Sequence, residues 1–145
     1  MKVRIEPADW VSRQADLLGI RFAVFVDEQG VPAELEHDEF DRQALHLIAT
    51  APDGKPLATA RMLPDGHIGR IAVLPGWRKH GIGSAMLRDL IRLAAERGIN
   101  ELFLNAQCEA EAFYRRLGFR PEGGIFDDAG IDHRRMTLKL GPDER

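Results

Sequence analysis

The stretch Val73-Leu74-Pro75-Gly76-Trp77-Arg78-Lys79-His80-Gly81-Ile82-Gly83-Ser84 decides how this chain is organised. Upstream, Arg70-Ile71-Ala72-Val73-Leu74-Pro75 reads as the end of a strand. Three basic side chains then run into Gly81-Ile82-Gly83, and an apolar helical pattern begins at once. A strand, a glycine bend and a helix in succession aim consecutive backbone N–H groups at one point. The helix dipole adds partial positive charge there. Glycine lets the backbone come close to an anion. Such a segment suits a phosphate or diphosphate; its alternative is a plain helix start with solvated basic residues.

Two common phosphate loops are excluded on residues. Gly76 to Gly81 has the first spacing of G-x-x-x-x-G-K-[ST], but Ile82-Gly83 replaces the required Lys-[ST]. Gly81-Ile82-Gly83 could open G-x-G-x-x-G, but Met86 occupies the third glycine position.

Working outward, Gly81 to Arg97 reads as a helix with Ile82, Met86, Leu90, Leu93 and Ala94 on one face and Gly98 at its end. Before it, 45–50, 56–63 and 67–74 read as three strands joined by turns at Pro52-Asp53-Gly54-Lys55 and Pro64-Asp65-Gly66. After it come a buried-type strand at 101–105, a short helix at 109–117 stopped by Gly118, and a final pair of strands from Phe119 and over 131–140. At the start, 2–6 reads as a strand. A helix then opens at Pro7-Ala8-Asp9 and runs to about Val26, carrying Trp10, Leu17, Leu18, Phe22 and Phe25. Residues 27–41 read as a carboxylate-rich loop. The order is an α/β mixture with a meander first and a βαβ unit in the middle.

Bulk composition narrows the partners. The chain has 145 residues, which fits a single domain over 1–145. It is 44% hydrophobic and 30% charged with net charge −3, which argues against nucleic acid or an anionic membrane as its main partner, since both need a clustered positive surface. The lone cysteine, Cys108, precludes an intrachain disulfide and fits a cytoplasmic protein. MKVRIEPADW is too polar for a signal peptide, and no apolar run approaches a membrane span. The five histidines show no zinc spacing, and Asp38-Glu39-Phe40-Asp41 lacks a calcium-loop pattern, so no metal is expected.

V-L-P-x-x-R-x-x-G-x-G, Val73 to Gly83, resembles the acetyl-coenzyme A motif of the GNAT N-acetyltransferases. Ala112-Phe113-Tyr114-Arg115-Arg116-Leu117-Gly118-Phe119 is similar to that family's A-x-x-F-Y-x-x-x-G-F segment. RFAVFVDEQGVP, LHLIAT, LNAQ and AGIDH look like its ElaA-like branch. The resemblance implies a mixed central sheet of about seven strands, splayed between the fourth and fifth and flanked by helices. It implies acetyl-CoA as cosubstrate, a small-molecule or peptide amine as acceptor, and direct transfer between them. It also allows a homodimer. A catalytically idle CoA-binding module is the alternative, with the same cofactor motif.

Carried onto this chain, the resemblance implies that the pantetheine arm pairs with Ile71, Ala72 and Val73. The diphosphate then falls to Arg78, Lys79, His80, Gly81, Ile82, Gly83 and Ser84. Asn105, Phe113, Tyr114 and Arg116 are further cofactor contacts. The Val73 N–H is the candidate oxyanion donor, and Tyr114 the candidate acid for the leaving thiolate. Glu28, His46 and His133 are candidates for the base, with Glu28 favoured by the branch resemblance. Cys108 reads as a small apolar filler. The carboxylates Glu34, Glu36, Asp38, Glu39 and Asp41 read as a solvated loop or as an attractor for a cationic amine.

Overall fold

The computed structural model describes residues 3–31 and 39–140. Lys2, the loop carboxylates Glu34, Glu36 and Asp38, and the tail 141–145 lie outside the described residues. Its strands are β1 (Arg4–Ala8), β2 (Leu45–Thr50), β3 (Pro56–Met62), β4 (His67–Val73), β5 (Glu101–Gln107), β6 (Arg120–Pro121), β7 (Phe126–Asp128) and β8 (Ile131–Lys139). Its α-helices are α1 (Trp10–Arg21), α2 (Ile82–Glu96) and α3 (Glu111–Arg116). All eight strands share one sheet in the order β1-β2-β3-β4-β5-β8-β6, with β7 also on β8. β7, a three-residue strand, is one more than the sequence suggests.

Alternation along β2 shows why the sheet carries helices on both faces. Leu47 belongs to a core with Met86, Leu87 and Leu90 of α2. Its neighbour Ile48 belongs to a second core with Trp10, Leu17 and Ile20 of α1. Successive side chains point to opposite faces, so a run of buried residues in one strand requires cover on each.

The first helix starts later than its sequence pattern suggests. Pro7 lies inside β1, and Asp9 caps α1 by accepting the Ser12 N–H at 2.9 Å. An edge strand tolerates proline because one side of its backbone is unpaired, whereas Asp is a strong N-cap. The same helix ends early as an α-helix: Phe22–Glu28 is π-helical. There Gln29 donates to the Val24 carbonyl, five residues back, at 3.1 Å. Short π segments occur often at functional sites.

The two strands that should open do so. β4 and β5 run parallel but pair only at His67↔Phe103 and Ile68↔Leu104. Gly66 holds them together at that end. Its φ is +96°, Phe103 donates to its carbonyl at 3.1 Å, and a Cβ there would collide with the Glu101 carbonyl oxygen. Beyond it β4 carries a bulge: Thr59 and Arg61 on β3 face Ala72 and Gly69, so β4 has one residue more than β3. Arg70, within it, has φ 51°, in the left-handed region. A bulge bends its strand, and here it carries β4 away from β5.

Candidate active site

Backbone direction follows from the register of β4. Leu74 donates to the Leu57 carbonyl at 2.9 Å, so it is hydrogen-bonded to β3. Adjacent residues on an antiparallel strand turn their backbone groups the other way, so the N–H and C=O of Val73 face the opening toward β5. Arg78 Nε donates to that carbonyl at 2.9 Å.

The glycine bend then leads into α2. Gly81, with φ 78°, precedes Ile82, and no side chain caps the helix. Lys79 also has a left-handed φ, 65°. The bend therefore gathers left-handed residues just before an uncapped helix start, where the first N–H groups lack intrahelical partners. A Cβ at Gly83 would lie 3.5 Å from Phe113 Cζ, which packs α2 against α3.

A cavity of about 880 Å³ fills the opening. It is lined by Ile71, Ala72 and Val73 from β4 and by Arg78, Lys79, Gly81, Ile82, Gly83 and Ser84 from the bend. Asn105 of β5 and Phe113, Tyr114 and Arg116 of α3 line it as well. Of the cofactor contacts expected from sequence, His80 alone is not on its wall; that side chain is exposed, its ring 6.3 Å from Trp77.

Tyr114 is buried at 9% exposure, and its ring meets Phe113 and Phe119 edge-on at 5.0 and 6.1 Å. Burial pushes its hydroxyl up to about 12, so it is protonated at any ordinary pH.

The three candidate bases have different surroundings. His46 is 1% exposed, stacked on Trp10 at 4.9 Å, with Nε2 2.8 Å from the Asp41 carbonyl oxygen; it is a core residue and does not line the cavity. Glu28 lines the cavity and pairs with Arg78, Nη1 to Oε2 at 2.7 Å and Nη2 to Oε1. The Arg78 hydrogen bonds hold its carboxyl below the usual range. His133 lines the cavity, with Nδ1 2.8 Å from the Ile131 carbonyl oxygen. A carbonyl can only accept, so Nδ1 is the donor, and in the neutral ring the lone pair is on Nε2.

Asp41 overturns the solvated reading of its end of the acidic loop. It is 1% exposed and joined to Arg21 at 2.9 and 3.1 Å and to Arg61 at 2.9 Å. Burial raises its pKa, but the two arginines outweigh that and hold the carboxyl below its ordinary value. The cluster fixes Arg21 where the π segment begins.

Residues without a sequence-assigned role line the cavity as well: Val24 and Phe25 of the π segment, Val31 just after it, and Asp128 and Ile131 of the β7–β8 hairpin. Gln107 Nε2 donates to Gln29 Oε1 at 2.9 Å, and both residues are on the cavity wall. Gln29 and Gln107 fall within the DEQG and LNAQ segments, but no spacing rule joins residues that far apart.

Comparison with known proteins points one way. Residues 11–140 match the family described as "Acetyltransferase (GNAT) domain". YjcF of Bacillus subtilis (strain 168), described as an uncharacterized N-acetyltransferase, is 39% identical over 126 residues, 83% of this chain and 89% of that protein. An acyl-CoA N-acyltransferase from Pseudomonas aeruginosa superimposes with a TM-score of 0.85 at 27% identity, covering 94% of this chain and 99% of that one. Escherichia coli ElaA gives 0.83 at 25%, covering 96% and 100%.

Proposed function

The chain belongs to the GNAT acetyltransferase family, and from that premise we propose that it moves an acetyl group from acetyl-CoA to the primary amine of a small molecule or peptide by direct attack. The observation that carries this reading is the short β4–β5 pairing with the uncapped N-terminus of α2 at the mouth of the opening. The pantetheine arm lies along Ile71 to Val73, where β4 has lost its neighbour. The diphosphate sits on the N–H groups of Ile82, Gly83 and Ser84, with Lys79 adding charge. Asn105, Phe113 and Arg116 form the facing wall.

The acceptor enters from the side of the π segment and the β7–β8 hairpin. An alkylamine has a pKa of about 10.4, so it must lose a proton before it attacks. His133 takes that proton through Nε2, directly or through one water. The amine nitrogen bonds to the thioester carbon, and the oxyanion that develops is met by the Val73 N–H. The C–S bond then breaks. Tyr114 donates a hydrogen bond to the departing thiolate. A thiol near pKa 8.5 is a much stronger acid than a hydroxyl near 12, so stabilisation by that bond, rather than full proton transfer, is the contribution of Tyr114. The protonated amide product loses its proton to solvent, His133 being already charged. The released thiolate takes up a proton from water or from the His133 imidazolium, which returns the ring to its neutral form.

A hydroxyl donor, Tyr114, and an imidazole, His133, lining one cavity favour turnover over an idle CoA-binding module. We place the reaction in the cytoplasm, consistent with the single cysteine; among the described residues no helix is long and apolar enough to cross a membrane. The test is thiol release from acetyl-CoA with a panel of aliphatic and aromatic monoamines, polyamines, lysine-containing peptides and free peptide N-termini. Release that requires one amine class and yields its N-acetyl product supports the reading. Tight acetyl-CoA binding without turnover on any class would favour the idle module.

A further inference from the structure

We infer that Arg78 is a positioning residue for this transfer: its guanidinium holds the Val73 carbonyl and the Glu28 carboxylate in place and does not bind the diphosphate of the acyl donor. The inference rests on the acyl-transfer reading above, and revises the role that the R-x-x-G-x-G pattern suggests for its arginine.

Three of the five N–H donors of Arg78 are engaged. Nε donates to Val73, and the two Nη atoms grip both oxygens of Glu28 in a forked pair. Turning to a diphosphate would release both partners. It would also leave the Glu28 carboxylate unpaired on the wall of the cavity that receives the anionic donor, where like charges repel. The bend has other means of holding phosphate: uncapped N–H groups at the start of α2, and Lys79, which is exposed and has no ion pair among the described residues.

What Arg78 joins explains its use. Val73 ends β4, on the donor side; Glu28 ends the π segment, on the acceptor side. The next residue, Gln29, is tied to Gln107 at the end of β5. Residues 28 and 29 thus bridge the diverging strands, Gln29 directly to β5 and Glu28 to β4 through Arg78. Fixing the Val73 carbonyl keeps that strand end from rotating, and so keeps the Val73 N–H aimed into the opening. The same guanidinium sets how the acceptor wall lies over it.

The test combines calorimetry with CoA, a carboxyl titration followed by ¹³C NMR, and steady-state kinetics. Arg78→Gln is expected to bind CoA within about twofold of the unaltered protein, whereas Gly81→Glu weakens it at least tenfold. With the fastest amine of the panel, Arg78→Gln is expected to lower kcat at least tenfold, leaving KM for acetyl-CoA within about twofold. Among the described residues Arg78 is the charged group that shifts Glu28. Glu28 should therefore titrate below the usual range both without and with saturating CoA, and return to it in Arg78→Gln. This NMR comparison needs no variant if Arg78→Gln fails to fold. The inference is overturned by a tenfold loss of CoA affinity in Arg78→Gln, by an unchanged kcat, or by CoA releasing Glu28 to its ordinary titration. Absence of CoA binding by the unaltered protein overturns it together with the acyl-transfer reading; the CoA-free titration distinguishes that case, because it reports the ion pair independently.

Discussion

Arg21 and Asp41 form a buried two-bond ion pair in which each side chain is 1% exposed. Arg61 shares the same carboxylate at 2.9 Å. A buried charge left without its partner is costly, typically about 3–5 kcal/mol. Asp41→Asn leaves two buried guanidinium groups facing a neutral amide. It is expected to lower stability by roughly that amount, measured as the shift of the urea midpoint at constant slope. An unchanged midpoint would show that the arginines are neutralised elsewhere.

The histidines set the response to acid. Burial is the main reason that His46 and His67 titrate below their ordinary value of 6.5. Between that value and the lower folded ones, the unfolded chain binds more protons, so stability falls as pH falls. It is intact above about pH 6.5 and declines below it. Glu28 and Asp41, held below 4.5 and 3.8, add further losses at lower pH. The urea midpoint should drop between about pH 7.5 and about pH 5, and His46→Gln should flatten the slope. A flat profile in the unaltered protein would contradict buried neutral histidines.

Three glycines should respond differently to alanine. Gly66 needs its positive φ and has the Glu101 carbonyl where a Cβ would go. Gly66→Ala therefore combines left-handed strain of about 1–2 kcal/mol with a backbone clash. Gly81 needs only the positive φ, so its cost is the strain alone. Gly83 has an ordinary contact to Phe113 and helical backbone, so alanine there should leave the melting temperature within a few degrees. Thermal melts in the order Gly66→Ala lowest, Gly81→Ala intermediate and Gly83→Ala highest are expected; any other order contradicts these local geometries.

Tyr114→Phe removes one hydroxyl from a packed ring and should leave CoA affinity nearly unchanged while lowering kcat about 10–100-fold. Because the hydroxyl ionises only near 12, its loss of a proton should not produce an alkaline limb in kcat between about pH 8 and about pH 10. Activity equal to that of the unaltered protein would make Tyr114 a core aromatic.

Much of this arrangement was legible in the sequence because it is local. The bend at Gly81, the helix face from Ile82 to Ala94 and the turn at Gly66 are each set by a few adjacent residues. The parallel β4–β5 unit follows from strand, helix and strand in order. Long-range pairings were not legible. Asp41 looks like one more loop carboxylate until Arg21 and Arg61, each 20 residues away in sequence, close around it. Glu28 and Arg78 are 50 residues apart, and Gln29 and Gln107 are 78 apart. The π segment was also hidden: Phe22 and Phe25 continue an apolar helical pattern, and nothing in that pattern distinguishes a wider turn from an ordinary one.

Binding of acyl-CoA at the start of α2 is tested most directly by calorimetric titration of the unaltered protein and of Gly81→Glu with acetyl-CoA, alongside ATP as a control. The expected result is micromolar or tighter acetyl-CoA binding to the unaltered protein, at least tenfold weaker binding to a folded Gly81→Glu, and no comparable binding of ATP. Equal acetyl-CoA affinity in the two proteins, or ATP binding in its place, would contradict it.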